Sequence, residues 1–301
     1  MADRILVIGG SNIDYLARSN KPLVKNDSNP GVFNASFGGV GRNIVENLAR
    51  LGDKVTFVTG IGNDSFGKIL VSDLEKLNVT LHYPEPTSAS SSYVAICNNE
   101  GDMEVAVCDS RAIDNLSIKF IKEFDAEIRA RDFLSMEANL SAKLIADLFH
   151  TYPDKKWCVE AVSANKVVRV KRFLPKIFLF KGNLIEAQTL LGLKDKAVAE
   201  ECAKGLLAKG VKNVIITQGA GPVCYGGAQG VRFKPVQPLP KEEIVNATGA
   251  GDAMFAGIIH KLNEGEDWES CISFGQLLST LSLKSECAVS HELSALLKER
   301  L

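Results

Sequence analysis

The chain has almost no net charge, few histidines, no paired cysteines and no long apolar run, and each shortage removes a class of function. Its 35 Lys and Arg nearly balance 36 Asp and Glu, leaving a formal charge of −1. A protein that holds nucleic acid or an anionic membrane through its overall field carries a marked basic excess, so neither partner is expected. The four histidines, His82, His150, His260 and His291, are scattered with no HxxxH spacing, which argues against a histidine-based metal site. The seven cysteines, Cys97, Cys108, Cys158, Cys202, Cys224, Cys271 and Cys287, are odd in number and include no CxxC pair. They read as buried free thiols in a reducing compartment. No segment approaches the ~20 apolar residues needed to cross a bilayer. Arg4 to Gly10 reads as a short strand and not as the apolar core of a secretory signal, so a cytoplasmic location is expected.

What is present is a chain of 301 residues with 46% hydrophobic content, enough for one large α/β domain over residues 1–301. Apolar runs suited to buried strands (Ile5 to Ile8, Val55 to Thr59, Phe133 to Met136, Trp157 to Val159, Ile177 to Phe180, Val214 to Thr217) alternate with helical patterns such as Asn43 to Leu51 and Phe66 to Leu77. That order predicts a mostly parallel sheet with helices on both faces. Val32 to Phe37, and Ser91 to Val107 around Asn98-Asn99-Glu100-Gly101, read as antiparallel ribbon. They form either a small projecting sheet or an extension of the main sheet's edge. From Gly249 onward three helices are predicted: Asp252 to Leu262, Trp268 to Leu283 and His291 to Leu301.

The glycine run Gly249-Ala250-Gly251-Asp252 stands at the entrance to the first of these. Small residues leave backbone N–H groups open, and a helix N-terminus adds unpaired donors and partial positive charge. Such a site suits a phosphate, or the charge that develops as one is transferred. A carboxylate belongs there if Asp252 takes a proton from an attacking hydroxyl; the alternative is an ordinary helix cap. Gly38-Gly39-Val40-Gly41-Arg42-Asn43 likewise leads into a helix, with Asn43 able to donate and accept to a polyhydroxylated ligand. Asn12 and Asp14 follow the first strand and suit a diol at the carboxyl-end crevice of the sheet, or form an Asx turn. Gly62 to Ile69 imitates a phosphate-binding P-loop, but Ile69 stands where a Mg²⁺-binding hydroxyl is required. It reads as a turn capping the next helix. No GxGxxG follows a strand, which excludes a dinucleotide-binding dehydrogenase.

Taken together these residues resemble the ribokinase-like (PfkB) carbohydrate kinases over essentially the whole chain. Asn183-Leu184-Ile185-Glu186 matches that family's NxxE motif, and Thr217-Gln218-Gly219-Ala220-Gly221 its nucleotide segment. Asp27-Ser28-Asn29-Pro30-Gly31, Ser91-Ser92-Tyr93, Ala138-Asn139-Leu140-Ser141 and Val162-Ser163-Ala164 are most similar to its pseudouridine-phosphorylating branch. The resemblance implies a three-layer α/β fold with a small β-sheet lid formed near residues 15–37 and 91–108. It implies ATP and Mg²⁺, Asp252 as general base toward a 5′-hydroxyl, and Gly249, Ala250 and Gly251 as the anion hole. Asn12, Asp14, Gly38, Gly39, Asn43 and Glu137 would bind the acceptor, although Glu137 also reads as a solvated loop carboxylate. Asn183, Thr217, Gly219, Gly221 and Gln276 would bind ATP, and Asn183 and Glu186 the Mg²⁺, through water. Ser28, Asn29, Tyr93 and Met103 are lid or base-side candidates, and a homodimer paired through the lids is compatible with the family. Two departures stand out. Asn246 replaces a frequent Asp that supports a monovalent cation, which weakens the case for K⁺, and Glu160 replaces an Asp. The rival readings are a kinase of another nucleoside or sugar, such as ribose or adenosine, and a catalytically silent ligand sensor on the same fold.

Overall fold

The structure is a computed structural model that describes residues 5–193 and 196–293. Among these residues nine strands form one sheet: β1 (Ile5–Ile8), β4 (Val55–Val58), β5 (Thr80–His82), β8 (Phe133–Glu137), β9 (Lys156–Glu160), β10 (Ile177–Asn183), β11 (Asn213–Gln218), β12 (Gly221–Gly227) and β13 (Gly230–Lys234). Their order is β13-β12-β11-β10-β9-β8-β1-β4-β5. All neighbours are parallel except β11–β12 and β12–β13. Parallel strands carry helices on both faces and are buried on both, which is why they read as unbroken apolar runs. Alternate residues feed separate cores: Leu6 and Ile8 join Phe149, Trp157 and Phe180 on one face. Ile5 and Val7 join Ile44, Phe57, Leu179 and Phe255 on the other.

The strand order places the crevice. From β1 the sheet grows one way through β4 and β5, and the other way through β8, β9, β10 and β11. The chain segments leaving the carboxyl ends of β1 and β8 therefore diverge, and such switch points are where open α/β sheets receive ligands. Gly9–Ser11 and Ala138–Leu140 border this opening.

Four further strands form a separate sheet above it: β2 (Asn12–Ser19), β3 (Gly31–Gly38), β6 (Ser92–Cys97) and β7 (Met103–Asp109), in the order β3-β2-β6-β7. The ribbons thus build a small sheet of their own instead of lengthening the main one. It is not purely antiparallel, because β2 and β6 run parallel. Cross-strand register puts Asp14, Tyr93 and Cys108 on one face, and Phe33, Ala17, Ile96 and Val105 on the other. Phe33, Val105 and Val107 are largely exposed.

Polar caps define the helix starts. Asp64 accepts the Gly67 N–H (2.8 Å) ahead of helix Ser65–Lys76, so the P-loop look-alike is a cap. Asp267 does the same for helix Trp268–Leu283 through Ser270 (2.8 Å). The helix expected over His291 to Leu301 lies, beyond Leu293, outside the described residues. All seven cysteines are free, but Cys108 and Cys287 are exposed, so the expectation of buried thiols holds for the other five. Among the described residues no helix is long and apolar enough to cross a membrane.

Candidate active site

Helix Ala250–Asn263 starts at Gly249, whose φ of 85° lies in the left-handed region. No side chain caps this helix, so its first-turn N–H groups stay open toward the crevice. Asp252 sits inside the first turn, 8% exposed. Its Oδ2 accepts from Asn43 Nδ2 at 2.9 Å. The carboxylate is therefore not a cap; it faces Asn43 and the glycine loop before it. Burial pushes its pKa up to about 6, against the opposing pull of the Asn43 hydrogen bond and the Lys181 ammonium and with a further rise from Asp14 and Glu186.

The residues expected to bind an acceptor converge beside it. Asn12 and Asp14 lie on β2, which removes the Asx-turn alternative, and Asn12 Nδ2 donates to Asp14 Oδ1. Asn12 pairs with Gly38 across the ladder, and Gly38 packs so tightly on the Asp14 carboxylate that a Cβ there would displace it. At Gly39 (φ 97°) a Cβ would lie 2.7 Å from both Asn12 Oδ1 and the Gly10 carbonyl oxygen. Glycine is required there both by backbone conformation and by space. The Gly39 carbonyl then accepts the Asn43 N–H at 2.8 Å, aiming Asn43 at Asp252. Burial raises Asp14 to about 6, offset in part by Asn12 and by Arg42.

Glu137 is fully buried at the end of β8, so it is not a solvated loop carboxylate. Its oxygens accept the Gly10 and Asn139 N–H groups, each at 2.6 Å, tying together the two segments that diverge at the switch point. Burial lifts its pKa to about 7, against the pull of the Asn139 and Gly10 bonds and of Lys166.

On the other side of Gly251 opens a largely apolar cavity of about 380 Å³ lined by Thr217, Gly219, Ala250, Met254 and Gln276, among others. Gly221 begins β12 and is not part of this lining. The Gln276 amide donates one N–H to the Pro235 carbonyl (3.0 Å), leaving its oxygen and its second N–H for a ligand. The NxxE residues form a capping box: Asn183 Oδ1 accepts the Glu186 N–H at 2.9 Å, and Glu186 Oε2 accepts the Asn183 N–H at 2.7 Å. One polar atom of each side chain remains for other use. Among the described residues no group of three or more His, Cys, Asp or Glu could hold a metal ion directly. Asn183 and Glu186 therefore fit a Mg²⁺ carried by phosphates and water, an ion that dehydrates reluctantly. Both ends of the Asn246 amide are engaged, Nδ2 with the Glu286 carbonyl (3.1 Å) and Oδ1 with the Thr248 N–H (2.9 Å). A neutral amide brings less charge to a monovalent cation there than a carboxylate would. Of the lid candidates, Asn29 uses its amide on Val24 and Asp27 within its own loop, and Tyr93 donates to Met103 Sδ at 3.4 Å. Ser28 is exposed.

The sequence reading missed Lys181. Its Nζ lies 3.1 Å from Glu160 Oε1, both side chains buried beside the anion loop. A lysine closing the apolar run Ile177 to Phe180, two residues before NxxE, was the available signal. It also missed Arg42, whose guanidinium reaches Glu46 (2.6 Å) and Asp73 (3.0 Å) and lies over the Phe37 ring, joining helix Val40–Arg50 to the small sheet.

The chain matches the description "pfkB family carbohydrate kinase" over residues 2–293. It is 30% identical to the pseudouridine kinase of Escherichia coli K12 over 296 residues, 97% of this chain and 94% of that one. It is 25% identical to the guanosine-inosine kinase of Exiguobacterium acetylicum, with 91% and 92% of the two chains covered. Its fold is similar to the crystal structure of ribokinase from Thermotoga maritima, with a TM-score of 0.85 at 20% identity over 98% of this chain and 99% of that one.

Proposed function

The chain belongs to the pfkB family of carbohydrate kinases, and from that premise we propose that it transfers the γ-phosphoryl group of ATP to the 5′-hydroxyl of pseudouridine. The observation that carries the mechanism is the hydrogen bond from Asn43 to Asp252. It locks the acceptor loop and the phosphate loop, which lie at opposite ends of the sequence, into one constellation. A sugar held by Asn12, Asp14 and the Gly38–Gly39 backbone presents its hydroxyl to Asp252. The carboxylate accepts the proton as that oxygen attacks the phosphorus, and the bond to the β-phosphate breaks, releasing ADP. Open N–H groups of Gly249, Ala250 and Gly251 meet the charge on the transferring group. The nucleotide occupies the cavity beyond Gly251, lined by Thr217, Gly219 and Gln276. Asn183 and Glu186 would hold the waters of a Mg²⁺ ion, which when bound would supply neutralising charge to the phosphates there.

The identity to a pseudouridine kinase supports the choice of acceptor. The test is to supply MgATP with pseudouridine, uridine, inosine, adenosine or ribose in turn and follow ADP, in potassium and in choline salts. Pseudouridine is expected to give the highest kcat/KM, with rates independent of K⁺. A preference for inosine, adenosine or ribose overturns the acceptor, and no turnover with any of them favours a ligand sensor.

The lid carries the pairing proposal. Phe33, Ile96, Val105 and Val107 leave one face of the small sheet apolar and exposed, and a second copy of the same face would bury it. Gel filtration with light scattering should give a dimer for the native chain and a monomer for Val107→Asp. A native monomer at micromolar concentration rules the pairing out.

A further inference from the structure

We propose that Lys181 is a catalytic residue: its ammonium contacts the transferring phosphoryl group across Gly251, and Glu160 holds it there as a positioning residue. The inference rests on the kinase reading above and adds a residue to it.

Three observations carry it. The first is burial. Lys181 and Glu160 are 3% and 4% exposed, and they lie directly opposite each other on the adjacent parallel strands β10 and β9. Carrying two charges into the interior is unfavourable unless their remaining donors and acceptors are satisfied. Here they are not. Glu160 Oε2 is buried with no hydrogen-bond partner. Of the three donors of the ammonium, one is engaged, with Glu160 at 3.1 Å. A pair that served packing alone would be better replaced by apolar side chains.

The second is position. A Cβ built on Gly251 would lie 2.9 Å from Lys181 Nζ. The ammonium thus presses against the first turn of helix Ala250–Asn263, where the open N–H groups are. It also lies within electrostatic reach of Glu160, Asp252 and Glu186, the carboxylates that a polyphosphate would otherwise meet unshielded.

The third is rigidity. Beyond Glu160 the Ala161 N–H donates to the Lys181 carbonyl (3.0 Å), and the Ser163 N–H turns back to the Ala161 carbonyl (2.8 Å) around Val162 at φ 68°. A β-branched residue in that region is strained, and such strain clusters at active sites and ligand clamps.

In the transfer the acceptor proton goes to Asp252, the oxygen–phosphorus bond forms, and the bond to the β-phosphate breaks with its electron pair leaving on ADP. Lys181 keeps its proton throughout and compensates charge on the moving phosphoryl oxygens.

The test compares Lys181→Met, Lys181→Met/Glu160→Gln and Glu160→Gln with the native enzyme. Two readouts are taken: kcat and acceptor KM, and calorimetric affinity for ATP against adenosine. Both lysine variants should lose about 10²- to 10³-fold in kcat, the scale seen when one transition-state donor is removed. Acceptor KM should change little, and affinity for ATP should fall while affinity for adenosine holds. Glu160→Gln, which keeps the ammonium but loosens it, should lower kcat by about tenfold with adenosine binding intact. A folded double variant with native kcat and native ATP affinity overturns the proposal. A double variant that does not fold also counts against it, because the pair would then be structural, as does native turnover in Glu160→Gln. The ATP-binding arm is read without turnover, so failure of the acceptor panel and failure of this inference are separate results.

Discussion

Replacing Asp252 by asparagine is expected to lower kcat by about 10³-fold, within the range for loss of a general base, while both ligands still bind. The amide keeps an oxygen for the Asn43 donor that now reaches Oδ2, so the acceptor loop stays where it is. What is lost is the ability to take a proton. Native turnover in the variant would remove the proposed mechanism. The native enzyme should also show an acid limb. A base works only when ionised, and burial has raised Asp252 to about 6, so kcat/KM should fall as pH drops below about 6. Asp14, also near 6, interacts with Asp252, and the limb belongs to the pair. The sign for stability runs the other way. A carboxylate whose folded pKa is raised stabilises the fold below its unfolded value and loses that contribution as pH rises through the folded value. At pH 8 the native protein carries this penalty and the asparagine variant does not. The variant should therefore be inactive and yet melt no lower than the native enzyme, a combination that simple misfolding would not produce.

Much of this arrangement could be read from local patterns. The buried strands announced themselves as apolar runs, and Gly249 to Asp252 as a glycine-rich helix start. The bond between Asn43 and Asp252 could not be read, because it depends on how one shared core packs helix Val40–Arg50 against helix Ala250–Asn263. Asn12 and Asp14 read as loop because β2 is half in solvent and carries polar residues that a buried strand would not. Lys181, and with it the partner of Glu160, went unseen for a related reason. Glu160 ends β9 and Lys181 lies two residues short of the end of β10, and only the β9–β10 register brings them face to face. The NxxE motif held two readings in the same residues. An Asn followed three positions later by Glu is a capping box, and the structure uses it as one while leaving polar atoms over for water and phosphate. Glu137 was legible as a strand-end carboxylate, but its partners Gly10 and Asn139 come from segments set by the strand order alone.

Gly249→Ala is expected to damage both stability and turnover, and Gly265→Ala supplies the comparison that separates its causes. Both glycines have positive φ, 85° and 82°, where an L-residue costs roughly 1–2 kcal/mol. Gly265 has no atom within 4 Å of a would-be Cβ, so conformational strain is all that its substitution should add. At Gly249 the Cβ would run into the Ala288 carbonyl oxygen and lie 2.9 Å from Ala288 Cα. That carbonyl cannot simply swing aside, because Ser282 Oγ donates to it at 3.0 Å. Nor can the helix start retreat freely, since the Gly249 carbonyl accepts the Ala253 N–H at 2.8 Å and fixes the first turn. The segment from Gly249 to Gly251 must then shift as a unit, carrying its open N–H groups away from the phosphoryl position and Asp252 away from Asn43. Urea unfolding should show Gly249→Ala destabilised by more than the ~1–2 kcal/mol expected of Gly265→Ala. Its kcat should fall by about 10²-fold, as for loss of an anion-hole donor, with Gly265→Ala fully active. If the two variants lose the same stability and both turn over normally, the tight seat of Gly249 against Ala288 is not what shapes the phosphate site.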